Sequence, residues 1–168
     1  MDGMSARQAK KVVTFNGPLE AGLRAVAILG AAYPRSYDLQ RLIGFDYLLV
    51  HTGDVGGPKS LHPPSPLQSA ELLVRRRLIE RALLLMMTRQ LVEREVKEDG
   101  IWYRAGENAE TFLSSLESDY LKGLKDRAGW LIKNLGDRSE QDFRATMRKF
   151  FDHWVEEFQA VQRSLGAE

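Results

Sequence analysis

The segment VHTGDVGGPKSLHPPSP, residues 50–66, holds two of the three histidines of this chain. His51, Asp54 and His62 carry side chains that can ligate a metal ion or transfer a proton. Glycines and prolines separate the two histidines, and the spacing matches neither a helical HExxH site nor another compact histidine–carboxylate site. We therefore predict that no metal binds here and that the segment is a stiff, partner-facing connector. The residues that mark this signature loop are His51, Asp54, Gly56, Gly57 and His62.

The remaining sequence lacks the motifs of the common enzyme classes. It contains no GxxxxGK[ST] phosphate loop and no GxSxG nucleophile elbow. GDVGG, residues 53–57, lacks the spacing of a dinucleotide-binding GxGxxG motif. The absence of cysteine excludes disulfides, thiolate zinc sites and cysteine nucleophiles. No pair of carboxylates stands out as an acid and a base. The sequence therefore predicts no enzymatic activity, no metal and no cofactor.

Four arginines gather in the segment ELLVRRRLIERAL, which has helical periodicity. In a helix that enters the major groove of DNA, they are candidate contacts to phosphates. Three consecutive residues spread over about 200° of a helix, so the four cannot all face one ligand. The alternative is a solvated or partner-binding face, and a net charge of +1 neither requires nor excludes nucleic acid. The candidate DNA-contacting residues are Arg75, Arg76, Arg77 and Arg81.

An apolar stripe with near-heptad spacing runs along the last predicted helix, residues 139–165. Its phenylalanines and its tryptophan would suit a helical partner, either another protein or a second copy of this chain, since buried aromatic residues often dominate binding energy. The alternative is that the stripe packs on the chain's own core. The candidate partner-binding residues are Phe143, Met147, Phe150, Trp154, Phe158, Val161 and Leu165.

Periodicity and turn chemistry predict the elements that position these residues. Residues 1–14 are polar and basic, which predicts a disordered leader. Three helices follow, one up to Pro34, one over residues 36–51 and one over residues 65–90. The apolar run around Phe45 predicts that the second is largely buried. Two β-prone runs then flank KEDG, and aspartate followed by glycine between such runs is a strong hairpin signal.

This order, three helices, a hairpin and a further helix, predicts a mainly α fold with a winged helix-turn-helix core. We place that domain at residues 15–116 and a C-terminal helical extension at residues 117–168. The alternative is a helical bundle with an incidental hairpin. The N-terminus lacks the apolar segment of a secretory signal, and ALLLMM is too short to span a bilayer. These features predict a soluble, cytoplasmic protein with no membrane partner.

Several of these segments together resemble the middle component, second type, of bacterial ABC three-component systems. The resemblance covers about residues 15–135, and DYLLVHTGDVGGP…LHP and ELLVRRRLIERAL are its specific parts. It implies a non-enzymatic accessory subunit between an SMC- or RecN-like ABC ATPase and a variable effector, often a nuclease. Lamassu-type antiphage systems are the closest comparison. The resemblance offers no catalytic residues.

Two functions from different classes remain open at this stage. One is a bridging subunit of an SMC-like defence complex, in which DNA contact is expected only within the complex. The other is a free-standing winged-helix transcription regulator, which would usually be a symmetric dimer with a more basic third helix. The sequence leaves homodimer formation open in either case.

Overall fold

The structure, a computed structural model, describes residues 17–63 and 71–151. The predicted disordered leader lies outside these residues, as do the predicted start of the third helix and the stripe residues Trp154, Phe158, Val161 and Leu165. The described chain is mainly helical and contains one small antiparallel sheet. This confirms the predicted fold class, and the arrangement is consistent with a winged-helix-like fold.

The described elements follow the predicted order, with one added strand. A short 3-10 turn at Thr52–Val55 follows the second helix. The elements are α1 (Pro18–Ala32), β1 (Tyr37–Asp38), α2 (Leu39–Val50), α3 (Glu71–Thr88), β2 (Val92–Lys97), β3 (Gly100–Ala105), α4 (Ala109–Ser114), α5 (Asp119–Leu135) and α6 (Glu140–Arg148).

Side-chain caps explain where three helices begin. The Asp38 carboxylate accepts a hydrogen bond of 2.8 Å from the backbone N–H of Arg41 at the start of α2. Ser118 caps α5 and Ser139 caps α6 in the same way. Such caps satisfy N–H groups that have no partner within the helix.

The predicted hairpin is present as β2 and β3, joined by a two-residue turn. Lys97 lies opposite Gly100, whose φ of +134° is a conformation that favours glycine. The strand β1 pairs with β3 through Tyr37 and Tyr103, giving the strand order β1-β3-β2. Sequence analysis missed β1, because a two-residue strand has no periodicity of its own and leads directly into α2.

One apolar core joins the helices on both sides of the hairpin. Buried residues of α1 and α2 form its centre, and α5 contributes Leu131 while α6 contributes Met147. The Phe45 ring of α2 packs edge-on against Tyr37, with the ring centroids 5.1 Å apart. As predicted, α2 is largely buried, since every residue from Leu42 to Val50 is buried.

Candidate functional site

A buried ionic cluster, formed by Arg24, Asp46 and Arg75, joins α1, α2 and α3. Asp46 is only 2% exposed. Arg24 Nε donates to its Oδ1 at 2.6 Å, and Arg75 Nη1 donates to its Oδ2 at 2.7 Å. Burial alone would raise the pKa of Asp46, but the two guanidinium groups outweigh burial and hold that pKa below its ordinary value. The carboxylate stays ionised and connects three helices.

Arg75, one of the predicted DNA contacts, lies in this cluster, and its contact with DNA stays a prediction. Its guanidinium also lies 5.5 Å from the centre of the Tyr47 ring, and its side chain points into the molecule because Asp46 requires a buried cation. Arg76 donates from Nε to Glu80 Oε1 at 3.1 Å, one helical turn further along α3. Only two of the four predicted arginines, Arg77 and Arg81, are exposed.

The two histidines of the signature loop lie at the edge of this cluster. His51 ends α2 as a buried residue, and its ring centroid is 4.4 Å from that of Tyr47. The His62 Nε2 atom lies 2.9 Å from the Tyr120 hydroxyl of α5. Burial, reinforced by the positive charge of Arg24, lowers the pKa of His62. The neutral form of His62 is therefore favoured in the folded chain.

The middle of the loop is fastened to α5. Gly56 has a φ of +79° and ends the 3-10 turn in a left-handed conformation. A Cβ atom on Gly57 would lie 2.7 Å from ring atoms of Trp130, so only glycine allows this close approach. Arg127 donates from Nε to the Lys59 carbonyl at 2.8 Å. The connector is thus packed against the last long helix.

Asp54 is exposed on this loop. Within residues 17–63 and 71–151, no group of three or more His, Cys, Asp or Glu side chains is placed to hold a metal ion. The absence of a metal at His51, Asp54 and His62 stays a prediction.

The first residues of the predicted partner-binding stripe lie in the chain's own core. Phe143 is 3% exposed and Met147 is fully buried. A Cβ atom on Gly44 of α2 would lie 2.4 Å from Phe143 Cζ, which shows how closely the two helices approach. Their binding to a partner stays a prediction, and Phe143 and Met147 lie in the chain's own core, the alternative that the sequence left open. The physical reason is that Gly44 leaves a space on α2 that these side chains fill.

The helix that carries this stripe is also shorter than predicted in the described chain. It ends at Arg148, and Lys149 and Phe150 form a turn. Phe150 is half-buried, and its ring centroid lies 5.4 Å from that of Tyr47. The other predicted stripe residues lie outside the described chain, so their role stays a prediction.

A family model described as ABC-three component (ABC-3C) system Middle Component 2 matches residues 14–157. The chain belongs to this Middle Component 2 family. No curated protein and no solved structure gives a significant match.

Membership of the Middle Component 2 family makes the chain an accessory component of a system with several components. This confirms the resemblance to the middle component, second type, of ABC three-component systems. In the described part of this Middle Component 2 protein, no helix is both long and apolar enough to cross a membrane.

Sequence analysis missed Arg24, Asp46 and Tyr120 as members of the polar cluster. A signal for two of them was present. Asp46 interrupts the apolar run LIGFDYLLV, and Arg24 interrupts the apolar face of α1. A charged residue in an otherwise buried helix requires a buried counter-charge, so the two residues were candidates for pairing with each other. Tyr120 had no such signal, since it lies at the partly exposed start of α5.

Proposed function

We propose that this Middle Component 2 chain is a non-enzymatic accessory subunit that links an SMC-like ABC ATPase to an effector in a bacterial antiphage defence complex. Lamassu-type systems are the comparison we favour. In this proposal the ATPase senses aberrant nucleic acid, such as DNA ends, and the effector, often a nuclease, does the damage. The chain itself positions the two partners and acts in the cytoplasm.

The observation that carries the proposal is that the buried acidic and histidine side chains, which could act in catalysis, contact other side chains of the fold. Asp46 is saturated by two arginines, and His51 is buried against an aromatic ring. The His62 Nε2 atom lies within hydrogen-bond distance, 2.9 Å, of the Tyr120 hydroxyl. Membership of a family of accessory components supports a role in assembly. The polar cluster supports the same role, because its side chains hold helices together.

Co-expression of the chain with the ABC ATPase and the effector of its own system tests this proposal. We expect a complex that survives size-exclusion chromatography and contains all three proteins. The isolated chain should show no ATPase and no nuclease activity. A chain that fails to bind either partner, or that turns over nucleotide or nucleic acid by itself, would contradict the proposal.

A free-standing transcription regulator is the second candidate, and the exposure of Arg77 and Arg81 on α3 favours it. A regulator should form a symmetric dimer and bind a palindromic duplex tightly by itself. The accessory subunit should instead bind DNA weakly when isolated, with a strong dependence on salt. Light scattering measures whether the isolated chain is a dimer, and duplex titration at two salt concentrations measures its affinity for DNA. Arg77→Ala/Arg81→Ala should weaken DNA binding if these arginines contact the duplex.

A further inference from the structure

Exposed apolar side chains concentrate on α3 and on the hairpin that follows it. Elsewhere in the described chain, only Leu19 and Tyr33 are exposed large apolar residues. Contiguous exposed apolar groups mark binding sites more often than scattered ones do. The five residues and their exposed fractions are Leu73 (40%), Val74 (65%), Leu84 (57%), Val96 (80%) and Ile101 (45%).

The α3 members of this set share the helix face that points away from the core. Val74, Arg77, Arg81 and Leu84 follow one another at spacings of three and four residues, which places them on one side of a helix. The opposite side of α3 carries the buried residues, such as Ile79. The outer face therefore carries two cationic side chains between aliphatic ones.

The hairpin members lie on the hairpin face that is nearer to α3. Val96 pairs with Ile101 across the two strands, and alternation along β3 puts Ile101 on the same face as Tyr103. Tyr103 is half-buried and packs against the core to which α3 contributes Ile79 and Met86. The outer face of α3 and this hairpin face form what we call the α3–hairpin surface.

Three exposed arginines of this surface form no ion pair within the described part of the chain. Arg77, Arg81 and Arg94 are exposed, and none of the three forms an ion pair with another described residue. On the opposite face of the hairpin, by contrast, Arg104 binds the carboxylates of Glu93 and Glu95 at 2.9 and 2.8 Å. A partner with carboxylates would therefore complement the α3–hairpin surface.

We infer that the α3–hairpin surface binds an amphipathic helix of a partner protein, with an apolar stripe flanked by aspartate or glutamate. This inference rests on the proposed function, since the partner would be another component of the same system. The phosphate backbone of a nucleic acid would not bury the five exposed aliphatic side chains. The apolar face of a partner helix would remove them from water. With 18 residues, α3 offers a contact length of about 27 Å, which matches about five turns of a partner helix.

Two synthetic peptides test the chemistry of this surface on the full chain. Both have leucine at the a and d positions of about four heptads, and their flanking positions carry either glutamate or lysine. In amide NMR spectra, the glutamate peptide should shift residues of α3 and the hairpin. The lysine peptide should bind at least about tenfold more weakly. Arg77→Glu/Arg81→Glu should reverse that preference, and Leu84→Ser should weaken both peptides.

The matched control is Lys122→Glu/Lys133→Glu, which reverses two exposed charges on α5. It should leave the preference of the wild type unchanged. Equal binding of the two peptides, or shifts confined to other elements, would overturn the inference. A DNA duplex that binds this surface more tightly than the glutamate peptide would assign it to nucleic acid. A dimer that Leu84→Asp dissociates would assign it to a second copy.

The native complex separates this inference from the proposed function. If the ATPase and effector bind a folded Arg77→Glu/Arg81→Glu/Leu84→Asp chain as well as wild type, the inference fails while the proposed function stands. If they do not bind the wild-type chain at all, the proposed function fails, and the peptide preference still decides the chemistry of the surface. Circular dichroism melting of each variant shows that it is folded.

Discussion

At the scale of single residues, Asp46 has a large predicted effect on stability. It accepts hydrogen bonds from two arginines in a buried setting, and breaking such a cluster leaves buried charge uncompensated. Asp46→Asn should lower the free energy of unfolding by about 3–5 kcal/mol in urea titrations. Asp126→Asn, at an exposed position of α5, is the control and should change it by less than about 0.5 kcal/mol. Equal stability of the two variants would contradict the structural role of Asp46.

His62 predicts how stability depends on pH. Burial, with Arg24, lowers its pKa in the folded chain below the ordinary 6.5. As the pH falls through that value, the unfolded chain therefore takes up a proton before the folded chain does. Stability should fall on acidification below about pH 6.5 and recover as the pH rises. His62→Gln keeps a polar group near Tyr120 and cannot titrate.

The melting temperature of wild type and His62→Gln, measured from roughly pH 7 to pH 5, checks this effect. The variant should show the flatter profile over that range. Parallel profiles would show that His62 does not contribute to the pH dependence.

At the scale of elements, the hairpin depends on one backbone conformation. Gly100 begins β3 with a φ of +134°, where an L side chain is strained. Gly100→Val should therefore cost about 1–3 kcal/mol of stability. Gly129→Ala is the matched control, because a Cβ atom there meets nothing within 4 Å and alanine favours helix. The control should raise stability by about 0.5–1 kcal/mol in the same urea titrations. An unchanged Gly100→Val would disprove strain at this turn.

At the scale of the whole molecule, α6 belongs to the core through Phe143. Its ring lies 5.6 Å from that of Phe45, and the Arg41 guanidinium lies 4.3 Å from its centre. Phe143→Ala should cost about 3–5 kcal/mol, as expected for a large buried side chain. Leu84→Ala, at an exposed position, should cost less than about 0.5 kcal/mol. A Phe143→Ala variant that unfolds like wild type, yet binds partners poorly, would favour partner binding over a core role for Phe143.

The connector loop also acts at the scale of the whole molecule, because it carries contacts from α2 to α5. His62 contacts Tyr120, Gly57 packs on Trp130, and Lys59 accepts hydrogen bonds from Arg127. The helix α5 also contributes Leu124 and Leu131 to the core that α1 and α2 share. The predicted boundary between residues 116 and 117 stays a prediction.

Much of the fold could be predicted from the sequence by itself, since its signals are local. Apolar periodicity predicted the helices, and Asp99–Gly100 between β-prone runs predicted the hairpin. The apolar run around Phe45 predicted a buried second helix. The specific loop and arginine segments predicted the family. Each of these signals is carried by neighbouring residues and needs no knowledge of what packs against them.

Only the tertiary structure decided which side chains face inward. Arg75 and Arg77 differ by two positions, which is about 200° around a helix, so one enters the buried cluster while the other stays exposed. The heptad-like spacing of Phe143 and Met147 is the same for a core and for an interface, and the space at Gly44 places both side chains in the chain's own core. Strand β1 is recognisable only through its pairing with β3. In each case the deciding contact comes from a distant part of the chain, which local sequence patterns do not record.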